Sequence, residues 1–436
     1  MTKTKRLVAL GLLACAATAR AQLTLPTPVQ LPTLGDVPGR VRGGIEAAAE
    51  MPRQAVRRLD AVRRARIADL VRANPDRIAL DRDGFPARAG EVVVDDADDA
   101  LVAKATAAGY AVIERGDILG IGFARLAAPR GRTLKAAIRD LEALGATQVS
   151  ADPLHVQNGV VAGTGRSQIV GISAITRGAT AWLGDRTADT NAGKAMTDTA
   201  ATPAIGVIDG GAGGAVAGQR GFAAGAPRAS DHGSAVASLI VGRGSVRGAA
   251  PAARLYVADV YGGDPAGGNA VAIAKALGWL VGERVPVVTI SLVGPPNPLL
   301  GRVVAAAQRR GTIIVAAVGN DGPAAPPAYP ASYPGVVAVT AVDARGRVLI
   351  EAGRATHLDY AAPGADMLAA TAAGHAAPVR GTSFAAPLVA ATIARVYPAQ
   401  DGAAWARALK AVDAAAKPGA RYGRGLVCAT CRTPPR

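Results

Sequence analysis

Short β-rich runs alternate with helical stretches through the second half of the chain, from Pro203 to Val396. The strand-like runs are rich in Val, Ile and Ala and lack polar alternation, which is typical of strands buried on both faces. The predicted strands are 204–208, 255–260, 287–292, 312–317 and 336–342, and the predicted helices are 233–240, 269–281, 299–310 and 383–396. This alternation predicts an α/β fold with a doubly wound, mostly parallel sheet and helices on both faces.

Composition predicts a large buried core and excludes several classes of protein. Half of the 436 residues are apolar, which argues against a disordered chain. The net charge of +16 first suggests nucleic acid, but aromatic residues make up only 3% and no basic run is interleaved with them. We therefore interpret the charge as a solvated basic surface and expect no nucleic-acid partner.

Residues 1–21 predict an export signal peptide. Three basic residues precede an apolar run at 7–14, and small residues end the segment at Ala21. The apolar run is too short to span a bilayer. The stretch 12–15, Leu-Leu-Ala-Cys, also resembles a bacterial lipobox. Two alternatives therefore remain open: a secreted or periplasmic protein, and a lipoprotein that reaches the membrane only through Cys15.

Residues 22–90 form a basic extension that contains one amphipathic helix. Apolar residues recur at helical spacing between 55 and 71, with arginines interleaved from 53 to 72. Such a helix can bind acidic lipid, but a solvated face is the more common outcome for a charge run of this kind.

Residues 91–152 follow the order βαββαβ, which is the ferredoxin-like α+β plan. The predicted strands are 91–95, 110–114, 118–126 and 147–150, and the predicted helices are 98–108 and 133–144. Arg115-Gly116-Asp117 is predicted to separate the second and third strands. This plan is a common superfold and does not by itself indicate a function.

Three segments of the second half place a chemically active side chain within two residues of a glycine. Asp209 ends a predicted strand before Gly210 and Gly211, His232 begins a helix of small residues, and Ser383 begins another helix. Sites form at the carboxyl ends of parallel strands, and the start of a helix stabilises negative charge. Each segment alone has an ordinary explanation: a turn aspartate, a structural histidine and an N-cap serine.

Together the three segments supply an acid, a base and a nucleophile in the chain order Asp, His, Ser. Asn320 follows another predicted strand, where its amide could donate to an oxyanion. Of the four histidines, His155 lies outside the α/β region, and His357 and His375 lie in polar stretches. His232 is therefore the favoured base.

Through these segments, residues 201–427 resemble the subtilisin-like serine proteases. The resemblance implies a subtilisin-like fold, with Asp209 as orienting acid, His232 as general base, Ser383 as nucleophile and Asn320 as oxyanion donor. It implies an endopeptidase that acts on proteins or peptides without a cofactor. Weaker matches lie at 289–292, 329–334, 360–364 and 423–427.

The same resemblance implies that Ser291, Leu292, Val293 and Ala328 bind substrate. Glycine is often found at the positions of Val293 and Ala328, so the larger side chains predict a narrowed pocket that favours small or medium apolar residues before the scissile bond.

Several residues depart from the family pattern. The first motif reads Asp-Gly-Gly, with Gly210 where a hydroxyl residue is usual. Phe384, next to the nucleophile, replaces the usual Met. The segment 241–250 lacks the Asn- and Asp-bearing loop that holds calcium in many relatives, and we expect no metal.

The resemblance also implies that the ferredoxin-like unit is a propeptide that inhibits the protease it precedes. Its last residues, around 152–159, are expected in the cleft as a product-like strand. The predicted organisation is a signal peptide at 1–21, a basic extension at 22–90, a propeptide domain at 91–158, a linker at 159–200, a catalytic domain at 201–427 and a tail at 428–436.

Cys428 and Cys431 are spaced C-x-x-C close to the C-terminus. A zinc site needs about four ligands, and no second Cys/His pair lies nearby. A redox role would favour a position at a helix start after a strand. Because export permits disulfides, we predict a local Cys428–Cys431 bond.

The leading hypothesis is an exported serine endopeptidase made as a proenzyme. The alternative is a catalytically silent binding or envelope protein of the same fold, which the Asp-Gly-Gly motif and the missing calcium loop would favour. An α/β-hydrolase esterase is excluded, because no G-x-S-x-G elbow contains Ser383 and the triad order differs.

Overall fold

The computed structural model describes residues 53–157, 159–162 and 202–435, all within one compact unit, Val41–Arg436. The predicted signal peptide, the lipobox at Cys15 and the main part of the linker predicted at 159–200 lie outside the described residues.

The first helix, α1 (Arg53–Ala73), confirms the amphipathic helix predicted in this region. Arg66 forms an ion pair with Asp321, and the Leu59 side chain lies against Gly322. The helix therefore contacts the loop that directly follows Asn320.

A unit of five strands and two helices follows α1. In chain order its elements are β1 (Ile78–Leu80), β2 (Pro86–Asp95), α2 (Asp99–Ala107), β3 (Ala111–Ile118), β4 (Ile121–Ala127), α3 (Leu134–Ala143) and β5 (Val149–Pro153). Side-chain oxygens of Asp98 and Thr133 cap the two helices. All strand pairs are antiparallel in the order β5-β2-β4-β3, with β1 beside the start of β2. From β2 onward the order is βαββαβ, as the sequence predicts.

Two details of this unit differ from the sequence prediction. β2 begins at Pro86 rather than at residue 91. β3 also continues through the loop predicted at 115–117, and the hairpin turns at Leu119 and Gly120, whose φ angles are 58° and 82°. Positive φ at both positions suits a two-residue hairpin turn. Phe123 lies across from Gly116 and packs against it, so the glycine is covered within the strand. The predicted break at 115–117 was therefore wrong.

Two short strands, β6 (Val156–Gln157) and β7 (Val160–Val161), lead out of this unit. The elements of the α/β part are, in chain order, β8 (Ala204–Asp209), β9 (Gly218–Gly221), α4 (Asp231–Val241), β10 (Arg254–Asp259), α5 (Ala270–Gly282), β11 (Val287–Ile290), β12 (Leu292–Val293), α6 (Pro298–Arg309), β13 (Ile313–Ala317), β14 (Val337–Val342), β15 (Tyr360–Pro363), β16 (Met367–Ala370), β17 (Ala376–Arg380), α7 (Ala386–Ala394), α8 (Trp405–Ala415) and β18 (Gly425–Leu426).

Eight strands form the main sheet, in the order β18-β15-β14-β13-β11-β8-β10-β9, and every neighbouring pair is parallel. This confirms the predicted α/β fold with a mostly parallel sheet. β8 lies between β10 and β11, and from β8 the following strands of the chain are added to the sheet on opposite sides. A crevice forms at the carboxyl ends of strands at such a switch point.

The two faces of the sheet are covered by different helices. Ile205 and Val207 pack in a cluster that includes α4 and α7, whereas Ile208 packs in a cluster that includes α5 and α6. This division follows the two-residue period of a strand. Val93 and Phe123 of the N-terminal unit belong to the second cluster, so that unit packs on the α5 and α6 face.

Three further findings concern the described residues. Cys428 is joined to Cys431 in a disulfide. In this part of the chain, no helix is both long and apolar enough to cross a bilayer. Nor does it contain a group of three or more His, Cys, Asp or Glu side chains arranged to hold a metal ion.

Candidate active site

Asp209 and His232 form a buried pair at the carboxyl end of β8. Nδ1 of His232 lies 2.9 Å from each carboxylate oxygen of Asp209. Asp209 is 0% exposed and His232 5%. A carboxylate at this distance holds the imidazole with its proton on Nδ1, which keeps Nε2 as the basic nitrogen. Nε2 has no hydrogen-bond partner among the described residues.

The turn after Asp209 is built from glycine because two other segments lie against it. A Cβ on Gly210 would lie 2.3 Å from Oγ of Ser230, and a Cβ on Gly233 would lie 2.1 Å from the carbonyl oxygen of Gly210. Oγ of Ser230 caps α4 by accepting the Gly233 N–H at 3.0 Å. The start of α4, which carries His232, is therefore packed directly on the turn that carries Asp209.

Ser383 lies in a short 3-10 turn, Thr382–Phe384, between β17 and α7. Its hydroxyl donates to the carbonyl oxygen of Ser291 at 3.2 Å, and the Ser291 hydroxyl donates to the Ser383 carbonyl at 2.8 Å. The ring of Phe384 lies 5.3 Å from the ring of His232, centroid to centroid, which puts the turn beside the imidazole. In this structure the Ser383 hydroxyl is hydrogen-bonded to Ser291 and not to His232.

Asn320 follows β13 and reaches the same turn. Its side-chain oxygen accepts the Thr382 N–H at 3.0 Å. The carbonyl end of the carboxamide is the acceptor in this bond, and the amino end is the only part of the side chain that can donate a hydrogen bond. Asn320 and Ser383 are thus brought together from parts of the chain that are 63 residues apart in the sequence numbering.

The residues predicted to bind substrate line one side of the crevice. Ser291 contacts Ser383, and Leu292 and Val293 form β12. Gly294 and Tyr329 exchange backbone hydrogen bonds of 2.9 and 3.0 Å. These bonds place Val293 and Ala328 on adjacent segments.

The chain between the two parts crosses this crevice. Gln157 and Val156 of β6 pair antiparallel with Leu292 and Val293, respectively. Beyond Gly159, β7 pairs antiparallel with β17. The crossing segment is therefore paired with the α/β part on both sides of the Asp209–His232 pair. A product-like strand, as the sequence predicted around 152–159, would instead end beside this pair.

Sequence reasoning missed two contacts of this crossing segment. Nε2 of Gln157 donates to Oδ1 of Asp209 at 2.7 Å, and Gly159 lies against His232 and Phe384. Neither residue carries a local signal, because the contacts depend on how two separate units of the chain pack.

The other three histidines lie elsewhere. His155 is fully buried against Gly268 and Gly294, and burial lowers the pKa of its imidazole to about 4. Nε2 of His357 is 2.7 Å from the Val336 carbonyl oxygen. His375 follows β16, where its backbone N–H donates to Thr371.

The family model and the most similar curated proteins found for this chain indicate the same protein family. A family model described as Peptidase_S8, Subtilase family, matches residues 219–422. Subtilisin BL of Lederbergia lenta is 34% identical over 224 residues, which is 49% of this chain and 82% of that protein. Subtilisin Savinase of the same organism is 33% identical with the same coverage. Among solved structures, fervidolysin from Fervidobacterium pennivorans, a keratinolytic enzyme related to subtilisin, matches with a TM-score of 0.61 at 19% identity, over 82% of this chain and 63% of that chain.

Proposed function

The chain belongs to the subtilase family of serine proteases, and from this we propose that Asp209, His232 and Ser383 form its catalytic triad. The observation that carries the proposal is the buried Asp209–His232 pair with Nδ1 at 2.9 Å, beside a backbone segment paired with β12 as a substrate would be. We further propose that the protein is an exported endopeptidase made as a proenzyme.

In this mechanism the Ser383 hydroxyl attacks the carbonyl carbon of a peptide while Nε2 of His232 takes its proton. The tetrahedral intermediate then collapses, and His232 returns the proton to the leaving amine. Water repeats the sequence on the acyl-enzyme and frees Ser383. Asp209 keeps the imidazole in one tautomer and stabilises its protonated form.

The oxyanion of the intermediate would be stabilised by the Ser383 N–H and the Asn320 side chain. Two features support this role. Ser383 lies at the start of a short helical turn that leads into α7, and Asn320 is held against that turn through Thr382.

The N-terminal unit would act as an intramolecular inhibitor. The pairing of β6 with β12 and of β7 with β17 supports this role, because the crossing segment occupies the positions of a bound peptide. We expect a fragment of residues 74–158, which includes all of β1 and β2, to inhibit the mature protease in trans. A folded fragment that leaves the rate unchanged would contradict the proenzyme proposal.

The test of the triad is Ser383→Ala. We expect peptide hydrolysis to fall on the order of a million-fold, the scale for losing this nucleophile in the family. Asn320→Ala should cost on the order of a hundred- to a thousand-fold in kcat. The matched control is Ser245→Ala, which changes an exposed serine.

A fluorophosphonate probe should label the parent on Ser383 and leave the Ser383→Ala variant unlabelled. An unlabelled parent would point to a silent member of the family.

Export is tested on the protein recovered from the producing cell. Intact mass and N-terminal sequencing distinguish cleavage after Ala21 from lipid attachment at Cys15 and also give the mature N-terminus. Retention of the complete chain inside the cell would contradict export.

A further inference from the structure

The backbone that crosses the crevice is aligned with the catalytic groups by pairing on both sides of Gly159. On the amino side, Gln157 pairs with Leu292 and Val156 with Val293. On the carboxyl side, Val160 pairs with Arg380 and Val161 with Val379. Gly159 is buried between these two short ladders. A peptide substrate that uses both ladders would place one residue at the position of Gly159.

This position lies on the leaving-group side of the proposed reaction. A Cβ on Gly159 would be 3.1 Å from Nε2 of His232. In the proposed mechanism Nε2 donates a proton to the amine that leaves, and that amine belongs to the residue after the scissile bond. Gly159 therefore occupies the place of the residue that follows the bond to be cut.

A side chain at this position would collide with Phe384. The same Cβ would be 2.5 Å from Cε2 and 2.8 Å from Cζ of the phenyl ring. Real Cβ atoms do not approach other heavy atoms so closely, so either the ring or the substrate backbone would have to shift.

The ring has little room to shift. Phe384 is 0% exposed and belongs to the cluster beneath α4 and α7. The ring of His232 is next to it, with centroids 5.3 Å apart and planes inclined at 46°. Moving Phe384 would therefore disturb either the packed core or the imidazole itself. A methionine at this position would adapt more readily, since its unbranched side chain bends around neighbours.

We propose that Phe384 makes this protease select glycine as the residue immediately after the scissile bond. Phe384 is then a specificity-determining residue, and the preferred substrates are peptides with an X–Gly bond in an extended segment. The proposal rests on the proposed function, since it needs hydrolysis at Ser383.

The direct test is a peptide series that varies only the residue after the scissile bond through Gly, Ala and Leu. The parent enzyme should lose about ten-fold or more in kcat/KM from Gly to Ala, the usual scale for one excess carbon in a tight pocket, and more for Leu. Phe384→Ala should bring the Gly/Ala ratio close to one, and Phe384→Met should fall between the two. The control is Val293→Gly, which alters the pocket for the preceding residue and should leave the Gly/Ala ratio unchanged.

The same preference should appear inside the full chain. If the bond before Gly159 is cut intramolecularly in the parent, Gly159→Leu should prevent that cut, and adding Phe384→Ala should restore it, as read by intact mass. Equal cleavage of the Gly, Ala and Leu peptides by the parent would overturn the glycine proposal while leaving the protease function intact. An absence of cleavage together with an unlabelled Ser383 would instead overturn the protease function, and the glycine proposal with it.

Discussion

Gly210 stands where a hydroxyl residue is usual in this family, and Ser230 provides a hydroxyl at that place from another segment. Oγ of Ser230 accepts the Gly233 N–H at 3.0 Å and donates to the Gly211 carbonyl at 3.4 Å. The Asp209 carboxylate is meanwhile held by the Gly210 N–H and by Gln157, each at 2.7 Å. The unusual motif is therefore compatible with a fixed Asp209–His232 geometry.

This compensation predicts a strong coupling between positions 210 and 230. Gly210→Ser should reduce kcat/KM and destabilise the protein by about 1–3 kcal/mol, because its Cβ would collide with Ser230. Ser230→Gly alone should cost a few tenths of a kcal/mol through a weaker cap of α4. The double variant should recover most of the activity, and a double-variant cycle measures the coupling. Strictly additive losses in kcat/KM and in thermal stability would rule out the compensation.

The substrate residue before the scissile bond should be limited by Val293 and Ala328. Both side chains add volume to walls that are often glycine in the family, at a strain of about 1–3 kcal/mol for a large residue. A peptide series through Ala, Val, Leu, Phe and Tyr at that position should therefore show the highest kcat/KM for the smaller residues. Val293→Gly should raise cleavage after Phe. A preference of the parent for Phe or Tyr would contradict the narrowed pocket.

At the scale of elements, α1 has a specific contact that its charge pattern did not indicate. The half-buried pair Arg66–Asp321 and the contact of Leu59 with Gly322 dock this helix on the loop after Asn320. Gly322 has a φ of 84°, a left-handed conformation that favours glycine, and Leu59 lies where a Cβ would project. The helix is thus packed against a loop of the proposed oxyanion site.

Breaking this docking should release the helix before the rest of the chain unfolds. Arg66→Glu places like charges at the contact, and we expect amide hydrogen exchange across 53–73 to accelerate several-fold. Arg66→Glu combined with Asp321→Arg should restore slow exchange. The matched control is Arg58→Glu, which makes the same charge change at an exposed position of the helix. If Arg58→Glu accelerates exchange as much as Arg66→Glu, net charge and not the ion pair holds the helix.

At the scale of the whole molecule, the N-terminal unit is joined to the α/β part by ion pairs and by the buried carboxyl group of Asp152. Glu114 pairs with Lys275, and the other ion pairs across the junction are Asp95–Arg302, Asp96–Arg302, Arg77–Asp264 and Arg88–Asp264. Asp152 accepts the Val271 N–H at 3.1 Å, and its other oxygen has no partner among the described residues. Burial raises the pKa of Asp152 to about 7, although the Val271 hydrogen bond opposes this change.

Asp152 should therefore make stability fall as the pH rises. Its folded pKa of about 7 lies above the ordinary aspartate pKa of 3.8, so between these two values the folded state binds a proton that the unfolded state has lost. The resulting penalty is absent at acidic pH and complete above the folded pKa. It amounts to roughly 1.4 kcal/mol for each pH unit that separates the folded and unfolded pKa values.

The variant that tests this linkage is Asp152→Asn, which keeps an oxygen for the Val271 N–H but carries no charge. In a Ser383→Ala background, the gain in unfolding free energy over the parent should be near zero at about pH 4 and grow to a few kcal/mol at about pH 7.5. His155 and Asp95 are present in both proteins, so their titrations largely cancel in the difference. Asp83→Asn, at an exposed position, is the control. A gain that does not change with pH would exclude Asp152 as the cause.

Local patterns along the chain were sufficient to predict the main elements of the α/β part and the residues of the proposed site. The apolar β-rich runs and helical stretches are local patterns, so the central strands and α4 to α6 appear close to their predicted bounds. Asp209, His232, Ser383 and Asn320 could be selected together because glycine and small residues surround them in a specific chain order. The prediction was wrong where the local pattern was weak. Gly116 was predicted to interrupt a strand, but its contact with Phe123 on the neighbouring strand keeps it inside β3. β9 and β16 were not assigned for the same lack of local signal. α8 was missed although Trp405, Ala408, Leu409 and Val412 recur at helical spacing.

The contacts between residues that are distant in the chain could be identified only from the folded protein. Gln157 reaches Asp209, Gly159 lies under Phe384, Ser230 fills the space beside Gly210, and Leu59 packs on Gly322. Hydrophobic periodicity and helix or strand propensity do not predict these contacts. Each contact joins two segments from different parts of the chain, and local sequence does not say which segments will pack together. Local sequence determines which surfaces each element offers, whereas the close packing of whole units determines which of those surfaces touch.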